Sequence, residues 1–189
     1  NARTDLSFET LARFNPSCII EFTATPDLEN RPSNVLYSVS AAELKSEEMI
    51  KMPIRLETRS AWKELLSDAI AQRYNLEKIS GMEGQLTGEY IRPLMLIQAQ
   101  SRRQGIETVT VEFVEKCLIE DFNVPRGQIA RATGTDYEIE GIDLLREDCQ
   151  LRYIITIQAL REGWDCPFAY VLCSLADVKS ARPVEQVLG

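Results

Sequence analysis

The feature that most constrains this chain is the alternation of helical and strand patterns that begins at Ser60. Apolar residues recur with a helical period over residues 60–74, and residues 93–97 then form a continuous apolar run. A run of this kind is typical of a parallel strand that is buried on both faces. A second helical pattern begins near Thr110. Further strands are predicted at residues 128–132, 152–160 and 170–175. This alternation predicts an α/β fold, with a mostly parallel sheet flanked by helices.

The chain before residue 60 has weaker patterns. The predicted elements are an amphipathic helix at residues 5–14, a buried strand at 18–23 and a helix at 41–49. Ser40 and Glu43 have the spacing of a capping box for the last of these helices. Later in the chain, three glycines within residues 75–88 predict that the long helix gives way to a loop.

Composition excludes several classes of chemistry. The chain of 189 residues contains no histidine, which removes Ser-His catalysis, Cys-His catalysis and histidine-ligated metal sites. Its five cysteines form no C-x-x-C pair, which suits a reducing, cytoplasmic compartment. No apolar run reaches the roughly 18 residues of a membrane span, so no membrane contact is expected. The net charge of −8 argues against a simple basic clamp for nucleic acids.

Much of the negative charge is concentrated in residues 136–148. Six acidic residues and one arginine give this stretch a net charge of −5. Their spacing defines no set of metal ligands, so we interpret the stretch as a solvated face that contains a short helix near residues 142–145.

Three segments that follow predicted strands or close the chain carry unusual residues, and ligands of parallel sheets bind beyond the carboxyl ends of the strands. The segments are Thr23-Ala24-Thr25-Pro26, the sequence EGWDCP at residues 162–167 and the sequence PVEQVLG at residues 183–189. Each has a plain interpretation by itself: a capping turn, a loop with a half-buried tryptophan, and the start of an amphipathic helix. Their order and separation are more informative than any one of them.

Taken together, these segments resemble the motifs of superfamily-two helicases of the DEAD/DEAH-box kind. Residues 23–25 resemble motif III and residues 93–98 lie where motif IV is expected. Residues 162–165 resemble motif V, and residues 186–189 resemble the start of motif VI. The sequences of these motifs are most similar to those of the Res subunit of type III restriction enzymes, and the resemblance covers essentially the whole chain.

The resemblance implies a RecA-like fold and a role for each matching residue. It assigns nucleotide binding to Gly163, Asp165, Gln186 and Gly189. It assigns coupling between hydrolysis and nucleic acid to Thr23, Thr25 and Glu162, and contacts with the DNA backbone to Gln98, Arg102 and Arg103. The two arginines have the alternative interpretation of ordinary solvated side chains.

The resemblance also implies partners and a domain organisation. ATP and Mg²⁺ would be the cofactors, with double-stranded DNA and a modification methyltransferase subunit as partners, and an associated endonuclease would use a separate site. Residues 1–56 would be the end of a first RecA-like domain with its linker, and residues 57–189 most of the second. The sequence holds neither a G-x-x-x-x-G-K-[ST] loop nor a DEAH motif. We therefore expect a piece of a longer protein that does not hydrolyse ATP alone and binds nucleotide at best in the millimolar range.

Two other functions stay open on the sequence. One is a different superfamily-two protein, such as a repair or RNA helicase. The other is a RecA-like fold that serves only as a binding module. A phosphate-binding loop and a DEAH motif upstream in the parent gene would favour an enzyme, and their absence would favour the module.

Overall fold

A computed structural model of the chain describes residues 5–22, 34–47, 54–102, 108–157 and 166–175. The helices are α1 (Asp5–Ala12), α2 (Ala41–Ser46), α3 (Trp62–Thr87) and α4 (Val111–Glu120), with a 3₁₀ turn at Arg126–Gln128. The strands are β1 (Leu94–Gln98), β2 (Ile129–Arg131), β3 (Tyr153–Thr156) and β4 (Ala169–Ser174). The chain divides into two compact units, and the division falls between the described ranges 34–47 and 54–102. The domain assignment implied by the resemblance stays a prediction.

The larger unit is built on a parallel sheet with the strand order β2-β3-β1-β4. β1 lies inside the sheet between β3 and β4, which explains why its sequence is apolar without alternation. Leu94, Met95 and Ile97 are fully buried. The prediction of a parallel α/β fold is confirmed, and the four described strands fall where sequence patterns predicted strands.

Helices α3 and α4 both pack on one face of this sheet. The rings of Trp62 on α3 and Phe113 on α4 meet edge to face, with their centroids 5.5 Å apart. The buried apolar residues of this face come from both helices and from alternate positions of the strands: Leu66, Ile70, Met95, Ile97, Val114, Leu118, Tyr153, Ile155 and Cys173.

The opposite face is covered by the connection between β2 and β3 rather than by a regular helix. Its buried residues include Leu94, Ala130, Ile139, Leu144, Leu151, Ile154 and Cys166. The prediction of a short helix near residues 142–145 is wrong. The Asp143 carboxylate accepts a hydrogen bond from the backbone N–H of Leu145 at 2.9 Å, a local bond that competes with helix formation.

Helix α3 continues through the glycines that predicted a loop. It ends at Thr87, and Gly88 caps it with a positive φ of 78° while donating its N–H to the carbonyl oxygen of Gly84 at 2.9 Å. A Cβ atom at Gly84 would lie 2.7 Å from the carbonyl oxygen of Glu89, so this glycine permits the chain to turn back closely against the helix. The glycines therefore end the helix later than expected.

The smaller unit departs further from its predicted elements. Residues 18–22 form no strand, and the side chains of Ile20 and Phe22 are 70% and 95% exposed. A strand needs a neighbour for its backbone hydrogen bonds, and these residues pair with no described strand. The predicted capping box of α2 is confirmed, because Ser40 and Glu43 exchange hydrogen bonds of 2.7 and 3.2 Å. In neither unit does a helix of the described residues have the length and apolarity needed to cross a bilayer.

Candidate functional site

The carboxyl ends of three strands bring polar side chains into register at one edge of the sheet. Gln98 ends β1 and is paired with Thr156 of β3 on one side and Ser174 of β4 on the other. The side chains of Gln98 and Ser174 are half-buried, whereas Thr156 is buried. This polar row follows directly after the apolar positions of the same strands, and we call it the carboxyl edge.

Gln98 and Ser174 are hydrogen-bonded to each other at this edge. The Ser174 hydroxyl donates to Oε1 of Gln98 at 2.8 Å, and the backbone N–H of Leu175 donates to the Gln98 carbonyl oxygen at 2.8 Å. Among the described residues, the Gln98 amide nitrogen makes no hydrogen bond.

Gln100 joins the start and the end of the β1–α4 connection to the end of β4. Its Nε2 donates to the carbonyl oxygen of Leu175 at 2.8 Å, and its Oε1 accepts from the N–H of Val109 at 3.0 Å. The Gln100 backbone N–H also donates to the Val109 carbonyl oxygen at 2.8 Å. The sequence prediction missed this residue, although a second polar residue two positions after Gln98 was a visible signal.

Arg102 and the amino end of α4 follow at the same edge. Arg102 is exposed, and Thr110 caps α4 by accepting a hydrogen bond from the N–H of Phe113 at 3.4 Å. Hydrogen bonds from Thr110 and from its own backbone lower the pKa of Glu112, and the positive charge of Arg102 lowers it further. Arg131 contributes to the lowered pKa of Glu112 in the same way as Arg102.

The other eight predicted site residues lie outside the residues that the structure describes. They are Thr23, Thr25, Arg103, Glu162, Gly163, Asp165, Gln186 and Gly189. Their implied roles in nucleotide binding, coupling and DNA contact stay predictions. Of the predicted residues, the structure thus describes two. Gln98 ends β1, and Arg102 lies four residues later in the connection to α4.

A second polar cluster, which the sequence prediction missed, lies at the opposite edge of the sheet. The Glu77 carboxylate accepts from Nη2 of Arg73 at 2.8 Å and from Nε of Arg152 at 2.7 Å. Arg73 is only 1% exposed, and its guanidinium lies 5.2 Å from the ring centre of Tyr153. Burial raises the pKa of Tyr153 to about 12. An arginine within a helical pattern is normally predicted to be exposed, which is why sequence reasoning passed over Arg73.

Arg92 extends this polar edge towards the β2–β3 connection. Its guanidinium donates to the carbonyl oxygens of Leu144, Arg146 and Cys149 over 2.5 to 2.9 Å. A groove of about 360 Å³ lies beside it, and its lining includes Arg152 and two glycines of α3, Gly81 and Gly84. Many polar groups of this edge bond within the protein, but among the described residues the Nε atoms of Arg73 and Arg92 and the hydroxyl of Tyr153 are buried without a hydrogen-bond partner.

The acidic side chains of residues 136–148 are exposed, in agreement with the interpretation as a solvated face, whereas Ile139 and Leu144 of the same stretch are buried. Several of its carboxylates form ion pairs with exposed or half-buried arginines, among them Glu138 with Arg126 and Asp148 with Arg146. Within the part of the chain that the structure describes, no group of three or more acidic or cysteine side chains is arranged to hold a metal ion.

Comparison with known proteins adds no assignment. No protein-family model matches the chain, and neither a curated protein nor a solved structure matches it. The function therefore has to be argued from the motif order and from the geometry of the carboxyl edge.

Proposed function

We propose that this chain is part of an ATP-dependent DNA helicase or translocase similar to the Res subunit of type III restriction enzymes. In this proposal the larger unit is the second RecA-like domain. It supplies the DNA backbone contacts and, through Gly163, Asp165, Gln186 and Gly189, the second half of an ATP site between two domains. ATP and Mg²⁺ are cofactors of the parent protein, which works in the cytoplasm with a methyltransferase subunit.

The observation that supports this proposal is that three groups able to bind phosphate lie on the chain at or after the carboxyl end of β1. Gln98 offers an amide nitrogen, Arg102 is an exposed cation, and α4 begins at Val111 on the same side of the sheet. Guanidinium groups, amides and the N–H groups of helix amino ends are the usual partners of phosphate oxygens. A parallel α/β sheet that directs these donors beyond its strands is compatible with contacts along a nucleic-acid backbone.

The negative charge of residues 136–148 only partly opposes such contacts. Asp136 and Glu138 contact Arg131 at the carboxyl end of β2, whereas the rest of the stretch belongs to the connection that covers one face of the sheet. The Glu112 carboxylate, whose pKa the charges of Arg102 and Arg131 lower, reduces the local positive potential. Its removal is therefore expected to strengthen binding of a polyanion.

Duplex DNA binding by the purified chain tests the proposal. With a fluorescently labelled duplex, Arg102→Ala should weaken binding and reduce the slope of log affinity against log salt by about 0.9. Glu112→Gln should strengthen binding. Arg146→Ala is the matched control, because it removes an exposed arginine from the other edge of the sheet. Equal effects of Arg102→Ala and Arg146→Ala would contradict the proposed interface.

The same assay separates the remaining candidates. Preference for an RNA duplex over a DNA duplex of the same sequence would favour an RNA helicase. Binding of neither nucleic acid at low salt would favour a RecA-like binding module without a nucleic-acid substrate.

A further inference from the structure

The side chain of Gln100 extends the hydrogen-bond ladder between β1 and β4 beyond the end of both strands. The last backbone rung runs from the N–H of Leu175 to the carbonyl oxygen of Gln98. At the next rung a backbone N–H is replaced by Nε2 of Gln100, which donates to the Leu175 carbonyl oxygen at 2.8 Å. The side-chain amide thus takes the place of a backbone donor in the ladder.

The orientation of this amide is fixed by its two partners. A carbonyl oxygen at Leu175 requires a donor, and the backbone N–H of Val109 requires an acceptor. The Gln100 side chain supplies both the donor and the acceptor. Its backbone N–H makes a further hydrogen bond, to the carbonyl oxygen of Val109. If the side-chain amide of Gln100 were rotated by 180°, or if the side chain were shorter, both of its hydrogen bonds would be lost.

The bridge controls the part of the carboxyl edge proposed to meet DNA. Arg102 follows Gln100 by two residues, and Val109 directly precedes Thr110, the N-cap of α4. The half-buried side chain of Gln100 therefore joins both ends of the β1–α4 connection to the end of β4, and the Gln100 backbone N–H adds a bond between the two ends.

We propose that Gln100 is a positioning residue that locks the β1–α4 connection, and with it Arg102, to the carboxyl end of β4. A displacement of the chain at Leu175 is then passed to the DNA-contacting edge through the amide of Gln100. This inference rests on the proposed function for its effect on DNA, whereas the lock itself is a property of the fold.

The first test uses Gln100→Ala, with Ser101→Ala as the control at an exposed neighbour. Hydrogen exchange at the N–H of Leu175 should become roughly tenfold faster in Gln100→Ala, although its own acceptor at Gln98 is untouched. Duplex DNA affinity should fall several-fold. Ser101→Ala should leave both values unchanged, and urea unfolding should confirm that both variants are folded.

The second test uses Gln100→Glu, whose charge can be switched. At neutral pH a carboxylate oxygen would face the Leu175 carbonyl oxygen, and exchange at Leu175 should be fast. At about pH 4, close to the ordinary pKa of glutamate, the protonated acid offers one donor and one acceptor as the amide does. The ratio of exchange rates to the unmodified chain at the same pH should then return towards one.

The outcomes separate the lock from the proposed function. If the unmodified chain binds no DNA but Gln100→Glu shows the pH-dependent exchange, the proposed function fails and the lock stands. If exchange at Leu175 is unchanged in both variants, the lock is overturned whether or not DNA binds. If DNA binds and Gln100→Ala binds it equally well, the positioning of Arg102 is overturned.

Discussion

Ser174 Oγ donates a 2.8 Å hydrogen bond to Oε1 of Gln98, and the two residues are partners in register across β1 and β4. The bond fixes the Gln98 side chain at the point where the sheet ends. Its amide nitrogen is thereby turned away from Ser174. The arrangement gives β1 a polar end of defined geometry in an otherwise apolar strand.

Loss of this bond should cost stability. Ser174→Ala removes the donor to Gln98 and should lower the free energy of unfolding by about 1 kcal/mol. Urea denaturation measures this change. Ser67→Ala, at an exposed position of α3, is the matched control and should be nearly neutral. A Ser174→Ala chain as stable as the control would show that the bond contributes nothing.

Replacement of Arg92 should have a larger effect. Arg92→Met leaves the carbonyl oxygens of Leu144, Arg146 and Cys149 without their shared donor, and we expect a loss of about 3 kcal/mol. Arg146→Met, which changes an exposed arginine of the same connection, should cost less than about 0.5 kcal/mol. Similar unfolding midpoints for the two variants would refute the proposed anchoring by Arg92.

Glu77 should make stability depend on pH in the acid range. Burial alone would raise the pKa of Glu77, but the hydrogen bonds and charges of Arg73 and Arg152 outweigh it, and the net pKa is lowered. Its contribution is therefore complete above the pKa of the unfolded chain and is lost as the pH falls through the lower folded value.

Glu77→Gln tests this linkage directly. The variant should be about 2 kcal/mol less stable than the unmodified chain at neutral pH, since Arg73 and Arg152 lose their shared carboxylate. The difference should shrink steadily as the pH falls below about 4.5, the ordinary range of glutamate. A difference that stays constant down to strongly acid pH would contradict the assignment.

The cysteines should differ in their reactivity. Cys18 is exposed and Cys149 half-buried, whereas Cys117, Cys166 and Cys173 are buried. Burial raises the pKa of Cys173 to about 12, and burial followed by the hydrogen bond to Asp121 raises that of Cys117 to about 11. Because the thiolate is the reactive form, these two thiols are protonated near neutral pH.

Labelling with a disulfide reagent near pH 8 should therefore show a fast phase that Cys18→Ser abolishes. Cys117 and Cys173 should react only when the chain is unfolded. Fast labelling of Cys173 in the folded chain, identified by mass spectrometry, is the result that this account does not allow.

The sheet was predictable because its strands are defined by local sequence. The apolar run that became β1 and the run that became β4 are bounded by polar residues, and the capping box at Ser40 is a local pattern. The end of α3 was not predictable in this way. Its position depends on Gly84 meeting the chain that returns at Glu89, a contact made only after folding.

The carboxyl edge was predictable only in part, for a similar reason. Gln98 was found because it follows an apolar run. Gln100 was missed because its importance lies in two partners, Val109 and Leu175, that are 9 and 75 residues away in the sequence. Arg73 has a local partner in Glu77, four residues later in α3, but its burial depends on contacts with the distant Tyr153. Arg92 was missed because its partners are backbone carbonyl groups more than 50 residues away in the sequence.

The most direct test of the central claim is a nitrogen-15 NMR titration of the chain with a short DNA duplex at low salt. The account predicts that the largest shift changes occur at Gln98, at Arg102 and in the first turn of α4. Changes concentrated at Arg92 and Arg152, with none at the carboxyl edge, would contradict it. So would the absence of any shift change as duplex is added.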